Sequence, residues 1–242
     1  MARRVEDLFP ILQVISGPDF VDPAIIPMPL RDPEGVRIED LRVAFHTDNG
    51  LMTPTPEIQD AVSKIAITLE DIGADVTEIR PDAIKMLEEI DSRNSTGDGR
   101  ASVRRILERA GTKKYSPFIE NRLAEASEMK TGEFTEVLER VDSYRSQMIG
   151  FMENFDMILC PSSAKAAIGP GEVFLPENKF LYSYTSAFNV TGWPAGVVRG
   201  GSTSDGLPFA VQVVGRPWRE DVVLAGLAVI ESDTGGWQPP EL

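Results

Sequence analysis

The sequence predicts an α/β fold with a mixed β-sheet flanked by helices. Short apolar runs typical of strands alternate with longer segments whose apolar residues recur every three or four positions, as in amphipathic helices. The clearest example lies within residues 41–79, where "LRVAFH", "TPTPEIQDAVSKIAITLEDIG" and "ADVTEI" read as strand, helix and strand. A strand–helix–strand unit of this length predicts two parallel strands with a right-handed crossover.

The elements before and within this unit have recognisable boundaries. Residues 2–16 show helical spacing of apolar residues, and Pro10 inside that pattern predicts a kink or an end. A proline-rich stretch with no regular period follows and predicts a surface loop. The next helix has Thr55 as a plausible N-cap, Pro56 at its first position and Gly73 at its C-terminal stop.

The middle of the chain, about residues 81–155, is predicted to be mostly helical and strongly charged. A stretch rich in Ser, Asn and Gly, "DSRNSTGDGR", predicts a break within it. From Glu133 to Phe155 apolar residues again follow a spacing of three to four, which predicts one long helix. We therefore expect a helical, charged insert inside one domain that comprises residues 1–242.

The C-terminal third returns to strands. "DMILC" predicts a short, fully apolar strand, and "PSSAKAAIGPGEVFLPEN" predicts a loop. A helix that starts near Tyr184 and stops at Thr191–Gly192 leads into a strand at "PAGVV". "GLPFAVQVVG" predicts another strand, and "REDVVLAGLAVIES" predicts a final helix with Asp221 in its first turn, which suits the helix dipole.

Charge and composition exclude several classes of partner. The net charge is −14, from 38 acidic and 24 basic residues. A strongly acidic chain is repelled by nucleic-acid phosphates and by anionic membrane surfaces. No apolar run is long enough to span a bilayer, and "MARRVEDLF" lacks the apolar region of a signal peptide. The single cysteine, Cys160, fits a reducing compartment, so we expect a cytoplasmic protein.

The residue types that carry chemistry are sparse. The only histidine, His46, ends an apparent buried strand, so a structural role is favoured over a catalytic one. Ser162 and Lys165 have the Ser-x-x-Lys spacing of a nucleophile and its base, but they follow a strand and a proline rather than starting a helix. A loop is the favoured interpretation. Cys160 ends an apolar strand and is favoured as an inert, buried thiol.

Two stretches, one rich in glycine and one acidic, resemble ligand-binding loops only in part. "GGSTSDG", from Gly200 to Gly206, lacks the Lys-Ser/Thr of a P-loop and the following helix of a dinucleotide site, which favours a turn between strands. "DSRNSTGDGR" lacks the final ligand of a calcium loop. The sequence predicts no metal site and no cofactor.

The order of motifs in the C-terminal third resembles the amidase signature family. "YTSAFNVTGWPAGVV" is followed by Gly-Leu-Pro, by Gln and then by Gly-Arg-Pro in "GLPFAVQVVGRPW". "MARRVEDLFPILQVISGPDFVDP" resembles the segment just after the catalytic core of that family, and "LRVAF" and "GADVTEI" resemble the part after it. The resemblance implies the C-terminal half of the amidase signature fold, present here as a partial domain.

The resemblance also implies an activity and a missing component. Family members hydrolyse carboxylic amides through a lysine, a cis-bonded serine and a nucleophilic serine, and the two serines lie in a Gly/Ser-rich stretch that precedes the matched region. Nothing in these 242 residues matches that stretch. We therefore expect no catalytic residue in this chain and no activity from the chain alone. A truncated gene, a wrongly assigned start or one half of a split enzyme would each produce such a sequence.

The resemblance further implies a wall of a substrate site. Thr185 and Phe188 would line a pocket for a small-molecule amide, and Asn189 would fix the turn after the helix. The alternative is that Tyr184, Phe188 and Trp193 are core aromatics. Two further possibilities remain for the whole chain: it needs an N-terminal partner half or self-association, or it binds acyl or amide groups without catalysis.

Overall fold

The computed structural model describes residues 1–124 and 126–239, without the side chains of residues 91–95. The chain divides into two compact units. The first contains Met1–Asp82 and Met148–Leu242, and the second contains Ala83–Gln147. The second unit falls within the region predicted to be a helical, charged insert. That the whole chain forms one domain stays a prediction.

The secondary structure alternates between strands and helices as an α/β fold requires. The strands are β1 (Arg42–Phe45), β2 (Asp75–Glu78), β3 (Met157–Pro161), β4 (Ala195–Ser202) and β5 (Pro208–Gly215). The α-helices are α1 (Leu8–Ile15), α2 (Pro56–Ile72), α3 (Leu87–Thr96), α4 (Ala101–Arg109), α5 (Pro117–Ala124), α6 (Thr131–Met152), α7 (Ser183–Thr191) and α8 (Glu220–Thr234).

All five strands form one mixed sheet in the first unit, in the order β2-β1-β3-β5-β4. Strand β1 pairs in parallel with both β2 and β3, whereas β5 is antiparallel to β3 and to β4. The predicted α/β fold with a mixed sheet is confirmed, and so is the parallel pairing of the strands on either side of α2. The C-terminal ends of β1 and β3 consequently lie at the same edge of the sheet.

Helices α2 and α8 cover one face of the sheet. The main apolar core combines Val62 and Leu69 of α2 and Leu227 of α8 with Val211 and Val213 of β5. Contact with α8 is close enough that a Cβ added at Gly196 of β4 would lie 2.3 Å from Leu227 Cδ1. Because neighbouring residues of a strand point to opposite faces, Gln212 lies on the other face of the sheet.

The second unit is helical and contains α3, α4, α5 and most of α6. Helix α3 continues to Thr96, so the break predicted at "DSRNSTGDGR" is confined to a turn at residues 97–100. The prediction of a break throughout that stretch was wrong because its polar residues can still extend a helix begun by the apolar residues before it. An isolated bridge pairs Asp98 with Glu128.

The prediction that Pro10 interrupts the first helix needs correction, whereas the predicted boundaries of α2 at Thr55, Pro56 and Gly73 are confirmed. Helix α1 begins at Leu8 and continues to Ile15, so Pro10 lies in its first turn and does not end it. The backbone amide of a residue in the first turn has no hydrogen-bond partner within the helix. A proline at that position therefore removes no helical hydrogen bond. Thr55 does precede α2, but its hydroxyl makes no capping hydrogen bond. Gly73 ends α2 as predicted, in the left-handed conformation with φ of 113°.

Among residues 1–124 and 126–239 there is no helix with the length and apolar character needed to cross a membrane.

Candidate functional site

Helix α7 carries the three residues predicted to line a substrate site. The helix ends at Gly192, whose φ of 70° places it in the left-handed region and whose amide donates to Phe188 O. The Thr191 hydroxyl also donates to Phe188 O, at 2.9 Å, and accepts from the amide of Trp193. These contacts close the helix and turn the chain into β4. The sequence predicted this boundary from its Thr-Gly-Trp-Pro.

The predicted site residues do not share one environment. Phe188 is buried with 3% of its surface exposed, whereas Thr185 is half-buried and Asn189 is exposed. The Thr185 hydroxyl donates to Tyr182 O at 3.1 Å. Thr185 and Asn189 are one helical turn apart, so they lie on the same side of α7. Thr191 and Gly192 make the hydrogen bonds described for the turn, and the role of Asn189 stays a prediction.

Tyr184 fixes the start of α7 against the segment between β1 and α2. Its side chain is buried, with 1% of the residue exposed. The hydroxyl donates to Met52 O at 2.9 Å and accepts from the backbone amide of Asn49 at 3.1 Å. The Asn49 side-chain amide donates to the Ser183 hydroxyl at 2.8 Å. Burial raises the pKa of the Tyr184 phenol, so the hydroxyl keeps its proton as a donor. These bonds join residues about 130 positions apart.

Gln212 attaches the same helix to the sheet. Its side chain is buried in the middle of β5, and its amide donates to Tyr184 O at 3.1 Å and to Cys160 Sγ at 3.5 Å. The sequence interpretation assigned no role to Asn49 or Gln212. The available signal for Gln212 was a single amide within the apolar run "FAVQVV", because a buried amide needs hydrogen-bond partners.

His46 lies directly after β1 and faces the same cluster. The imidazole is 4% exposed, and its ring centroid lies 6.4 Å from that of Tyr184. Burial lowers its pKa to about 4, and the nearby positive charge of Arg80 acts in the same direction. Within the described part of the chain, His46 Nδ1 has no hydrogen-bond partner. The lowered pKa makes the imidazole a weak proton acceptor, and His46 Nδ1 is not bonded to a serine hydroxyl, so His46 is not arranged as the base of a serine nucleophile.

The loop after β3 contains the Ser-x-x-Lys sequence, in which the backbone amide of Lys165 donates to the Ser163 hydroxyl at 3.4 Å while the Lys165 ammonium is bonded elsewhere. The Ser162 hydroxyl donates to Ala210 O at 2.9 Å, and the Ser163 hydroxyl donates to Leu181 O at 3.4 Å. The Lys165 ammonium donates instead to Asn178 Oδ1 at 2.8 Å. Because each serine donates to a backbone carbonyl, neither is activated by a base.

Cys160 is the remaining nucleophile considered from sequence. Its thiol is fully buried at the end of β3, and burial raises its pKa to about 12. A thiol with this pKa is protonated at neutral pH and unreactive. The interpretation of Cys160 as a buried, inert side chain agrees with this environment.

The glycine-rich stretch at Gly200–Gly206 forms the end of β4 and the turn to β5. Gly200, Gly201 and Ser202 border a surface cavity of about 360 Å³, whose other lining residues include Glu57, Asp60 and Asp233. These three carboxylates outnumber the single cationic side chain of the lining, Lys64, and disfavour a phosphate ligand. Across the described residues, no group of three or more His, Cys, Asp or Glu side chains is placed to hold a metal ion.

The arrangement on this face of the sheet holds α7 rigidly in place. Buried hydrogen bonds from Tyr184, Asn49 and Gln212 hold α7 in position, and α7 presents Thr185 and Asn189 at its surface. The serine and cysteine side chains nearby are committed to structural contacts. The geometry does not activate a nucleophile among the residues discussed, and the binding role of Thr185, Phe188 and Asn189 stays a prediction.

Comparison with known proteins identifies the family. The Amidase family profile matches residues 1–224. A putative amidase of Synechocystis sp. is 25% identical over 255 residues, which cover 100% of this chain and 48% of that protein. The chain thus spans about half the length of the curated relatives it matches.

Solved structures show the same fold. A fatty acid amide hydrolase superposes with a TM-score of 0.77 at 23% identity, over 96% of this chain and 47% of that one. A 6-aminohexanoate cyclic dimer hydrolase gives a TM-score of 0.79 at 24% identity, over 96% of this chain and 53% of that one. From its match over residues 1–224 we conclude that this chain belongs to the Amidase family.

Proposed function

We propose that this chain supplies the substrate-binding wall of an amidase that hydrolyses linear carboxylic amides. The Ser–cis-Ser–Lys core that forms the acyl-serine intermediate would come from polypeptide outside these 242 residues. The observation that carries the proposal is the state of Ser162, Ser163 and Cys160. Amide hydrolysis by covalent catalysis needs a nucleophile whose proton passes to a base, and none of these three side chains has such a partner.

The comparisons support the reaction class. One matched relative is named a putative amidase, and one similar structure is a fatty acid amide hydrolase. Both are about twice as long as the part that this chain covers. Inactivity of the isolated chain is part of the proposal, because a chain without a complete nucleophile-and-base unit would retain only the residual effects of binding. Localisation in the cytoplasm is part of the proposal and is supported by the free thiol of Cys160.

In this proposal α7 is the part of the chain that contacts the substrate. The helix places the Thr185 hydroxyl beside the acyl group of the amide, with the buried Phe188 supporting that wall, and Asn189 lies one turn beyond Thr185. Fixing the acyl group lowers the entropic cost of reaching the attack geometry. The serine attack, the release of the amine and the hydrolysis of the ester all occur on the separate core.

A second candidate is a protein that binds acyl or amide groups without hydrolysing them. The observation that favours it is the packing of α7, which is complete within this chain: Tyr184 and Phe188 are buried, and the Tyr184 hydroxyl and the Gln212 amide are hydrogen-bonded. Such a helix needs no further polypeptide to hold its shape. This candidate predicts ligand binding that no added core converts into hydrolysis.

The test compares hydrolysis by the chain alone and by a reconstituted pair. The purified chain, the N-terminal half of the Synechocystis putative amidase, and a mixture co-expressed from both are each incubated with hexanamide, and released ammonia is measured. We expect ammonia only from the pair. Hydrolysis by this chain alone would contradict the proposal. A stable pair without hydrolysis, together with hexanamide binding by this chain in calorimetry, would favour the binding protein.

A further inference from the structure

The basic residues of the second unit are concentrated in one short stretch. Residues 100–114, which we call the basic segment, contain six of the 24 basic residues of the chain and a single acidic residue, Glu108. All other acidic residues of the chain lie outside this segment. The net charge of −14 therefore conceals a local stretch of the opposite sign.

Helix α4 displays this charge on its exposed side. Val103 and Leu107 are one turn apart and half-buried, whereas Arg105 and Arg109 lie on the opposite side of the helix and are exposed. Ile106 lies between the two sides and is 60% exposed. The helix is thus amphipathic, with two arginines and an uncovered aliphatic side chain directed away from its own unit.

Most cations of the basic segment are available to a partner. Arg104 is an exception, because its guanidinium donates to Leu123 O at 2.8 Å and holds α4 against α5. Four exposed cations form no ion pair with any described residue, namely Arg105, Arg109, Lys113 and Lys114. Their positive charge is consequently not neutralised within this part of the structure.

Aromatic side chains follow the basic segment directly in the chain. Tyr115 is exposed, and so is Phe118 near the start of α5. The Arg122 guanidinium lies 5.0 Å from the centroid of the Phe118 ring, which is a cation–π contact. Together with Ile106, these rings place apolar groups among the cations. A basic amphipathic helix with such neighbours is typical of a segment that binds a membrane surface.

A bilayer with anionic lipids offers both kinds of partner that this surface needs. Its head groups attract lysine and arginine, and the boundary between head groups and acyl chains accommodates aliphatic and aromatic side chains. A nucleic acid also offers phosphates, but its backbone provides no apolar environment for Ile106.

The acidic remainder of the chain opposes this attraction only at short range. The Debye length is about 8 Å at physiological ionic strength, so charges farther from the contact are largely screened. The repulsion from anionic membranes that the net charge predicts therefore does not hold at the basic segment, where the local charge is positive.

We propose that the basic segment, together with the exposed rings of Tyr115 and Phe118, binds the surface of membranes that contain anionic lipids. The cations contact the lipid head groups, and Ile106 and the two rings enter the boundary with the acyl chains. The inference goes beyond the proposed function and does not depend on it.

The test measures co-sedimentation of the purified chain with vesicles of phosphatidylcholine, either alone or mixed with phosphatidylserine. One double variant, Arg105→Gln with Arg109→Gln, neutralises the outer side of α4. A second, Lys113→Gln with Lys114→Gln, removes the same charge from the loop after α4 and leaves the helix unchanged. A single variant, Ile106→Ser, keeps the charge and removes the aliphatic side chain.

The matched control is Lys130→Gln with Lys179→Gln. It changes the net charge by the same amount at two exposed lysines outside the basic segment. All substituted side chains are exposed, so every variant should unfold at the wild-type urea midpoint, which is checked first.

We expect the wild type to sediment with the mixed vesicles but not with phosphatidylcholine alone, and added salt should release it. Each double variant of the basic segment should bind about 25-fold more weakly, at about fivefold per cation, and the control should change by less than about twofold. Ile106→Ser should weaken binding by about threefold or more, because it removes apolar contact with the bilayer.

Three results would overturn the proposal. The first is no binding of the wild type to the mixed vesicles, or equal weakening in the control and in both double variants. The second is tighter binding to polyuridylate than to vesicles, unaffected by Ile106→Ser, which would assign the segment to nucleic acid. The third is loss of vesicle binding when the N-terminal half of the Synechocystis putative amidase is added. None of these measurements involves ammonia release, so the proposed function is tested separately.

Discussion

Helix α7 and the loop after β3 pack against each other through Tyr184, Leu181 and Ala164. The polar groups of the two segments differ in their burial and in their hydrogen-bond partners. The polar groups at the start of α7 are buried and bonded to distant segments, as with Tyr184 and Asn49. The hydroxyls of Ser162 and Ser163 are half-buried and donate to the carbonyls of Ala210 and Leu181, 48 and 18 residues away. The comparison shows that the Ser-x-x-Lys spacing in the loop does not make a nucleophile when no base contacts the serines. The polar residues that fix the position of α7, in contrast, belong to no recognisable sequence motif.

The largest effect is expected from Tyr184. Tyr184→Ala removes a buried ring and two hydrogen bonds, so the free energy of unfolding should fall by about 3–5 kcal/mol. Tyr184→Phe keeps the ring and should cost about 1–3 kcal/mol, because Met52 O and the Asn49 amide lose their partner. Urea denaturation followed by circular dichroism measures both.

Tyr182→Ala is the matched control for Tyr184. Its ring is 52% exposed and lies two residues away, at the start of the same helix. We expect a change within about 0.5 kcal/mol. Equal costs for Tyr182→Ala and Tyr184→Ala would contradict the view that buried bonds fix α7.

An intermediate effect is expected from His46 as pH falls. Burial lowers its pKa from 6.5 to about 4 in the folded protein. Between about pH 6.5 and 4, His46 therefore binds a proton in the unfolded chain but not in the folded protein. The stability that neutral His46 contributes is complete above about pH 6.5 and is lost progressively as pH falls toward 4.

The comparison of wild type with His46→Gln isolates this contribution from that of the carboxylates. Between pH 7.5 and 5.5, which stays above the pI of about 4.6, wild-type stability relative to the variant should fall by about 1–2 kcal/mol. Urea midpoints at several pH values provide the measurement. A difference between the two proteins that does not change with pH would show that His46 titrates in the folded state as it does in the unfolded one.

The smallest effect is expected in the loop. Ser162→Ala removes one hydrogen bond to Ala210 O and should lower the free energy of unfolding by about 1 kcal/mol. The same variant in the reconstituted pair should release ammonia at the wild-type rate, because the loop contributes no nucleophile. Loss of hydrolysis with intact folding would place Ser162 in the chemistry and contradict the contrast between the two regions.

The sequence predicted those elements whose signals are local. The strand–helix–strand unit followed from apolar spacing together with Pro56 and Gly73, and β3 followed from an unbroken apolar run. The effect of Pro10 on the helix could not be predicted, because it depends on where the helix begins. Residues outside the apolar spacing decide that start. The extent of α3 was misjudged because polar residues of moderate helix propensity can still continue a helix.

The buried polar cluster could not be predicted from local signals. Asn49 and Ser183 are 134 residues apart in sequence, and they meet only because the strand order brings the ends of β1 and β3 together. The selection of Thr185, Phe188 and Asn189 came from family resemblance, and their role in binding stays a prediction. The burial of Cys160 was predicted correctly, because a single thiol that ends an apolar strand is usually buried.

The central claim, that this chain provides a binding wall without an activated serine, is tested most directly with a fluorophosphonate. The reagent phosphonylates activated serines, and intact-mass analysis of the purified chain reports any adduct. We predict an unmodified mass under conditions that label a serine hydrolase control completely. A stoichiometric adduct, mapped first at Ser162 and Ser163, would show that an activated serine exists within these 242 residues and would contradict the account.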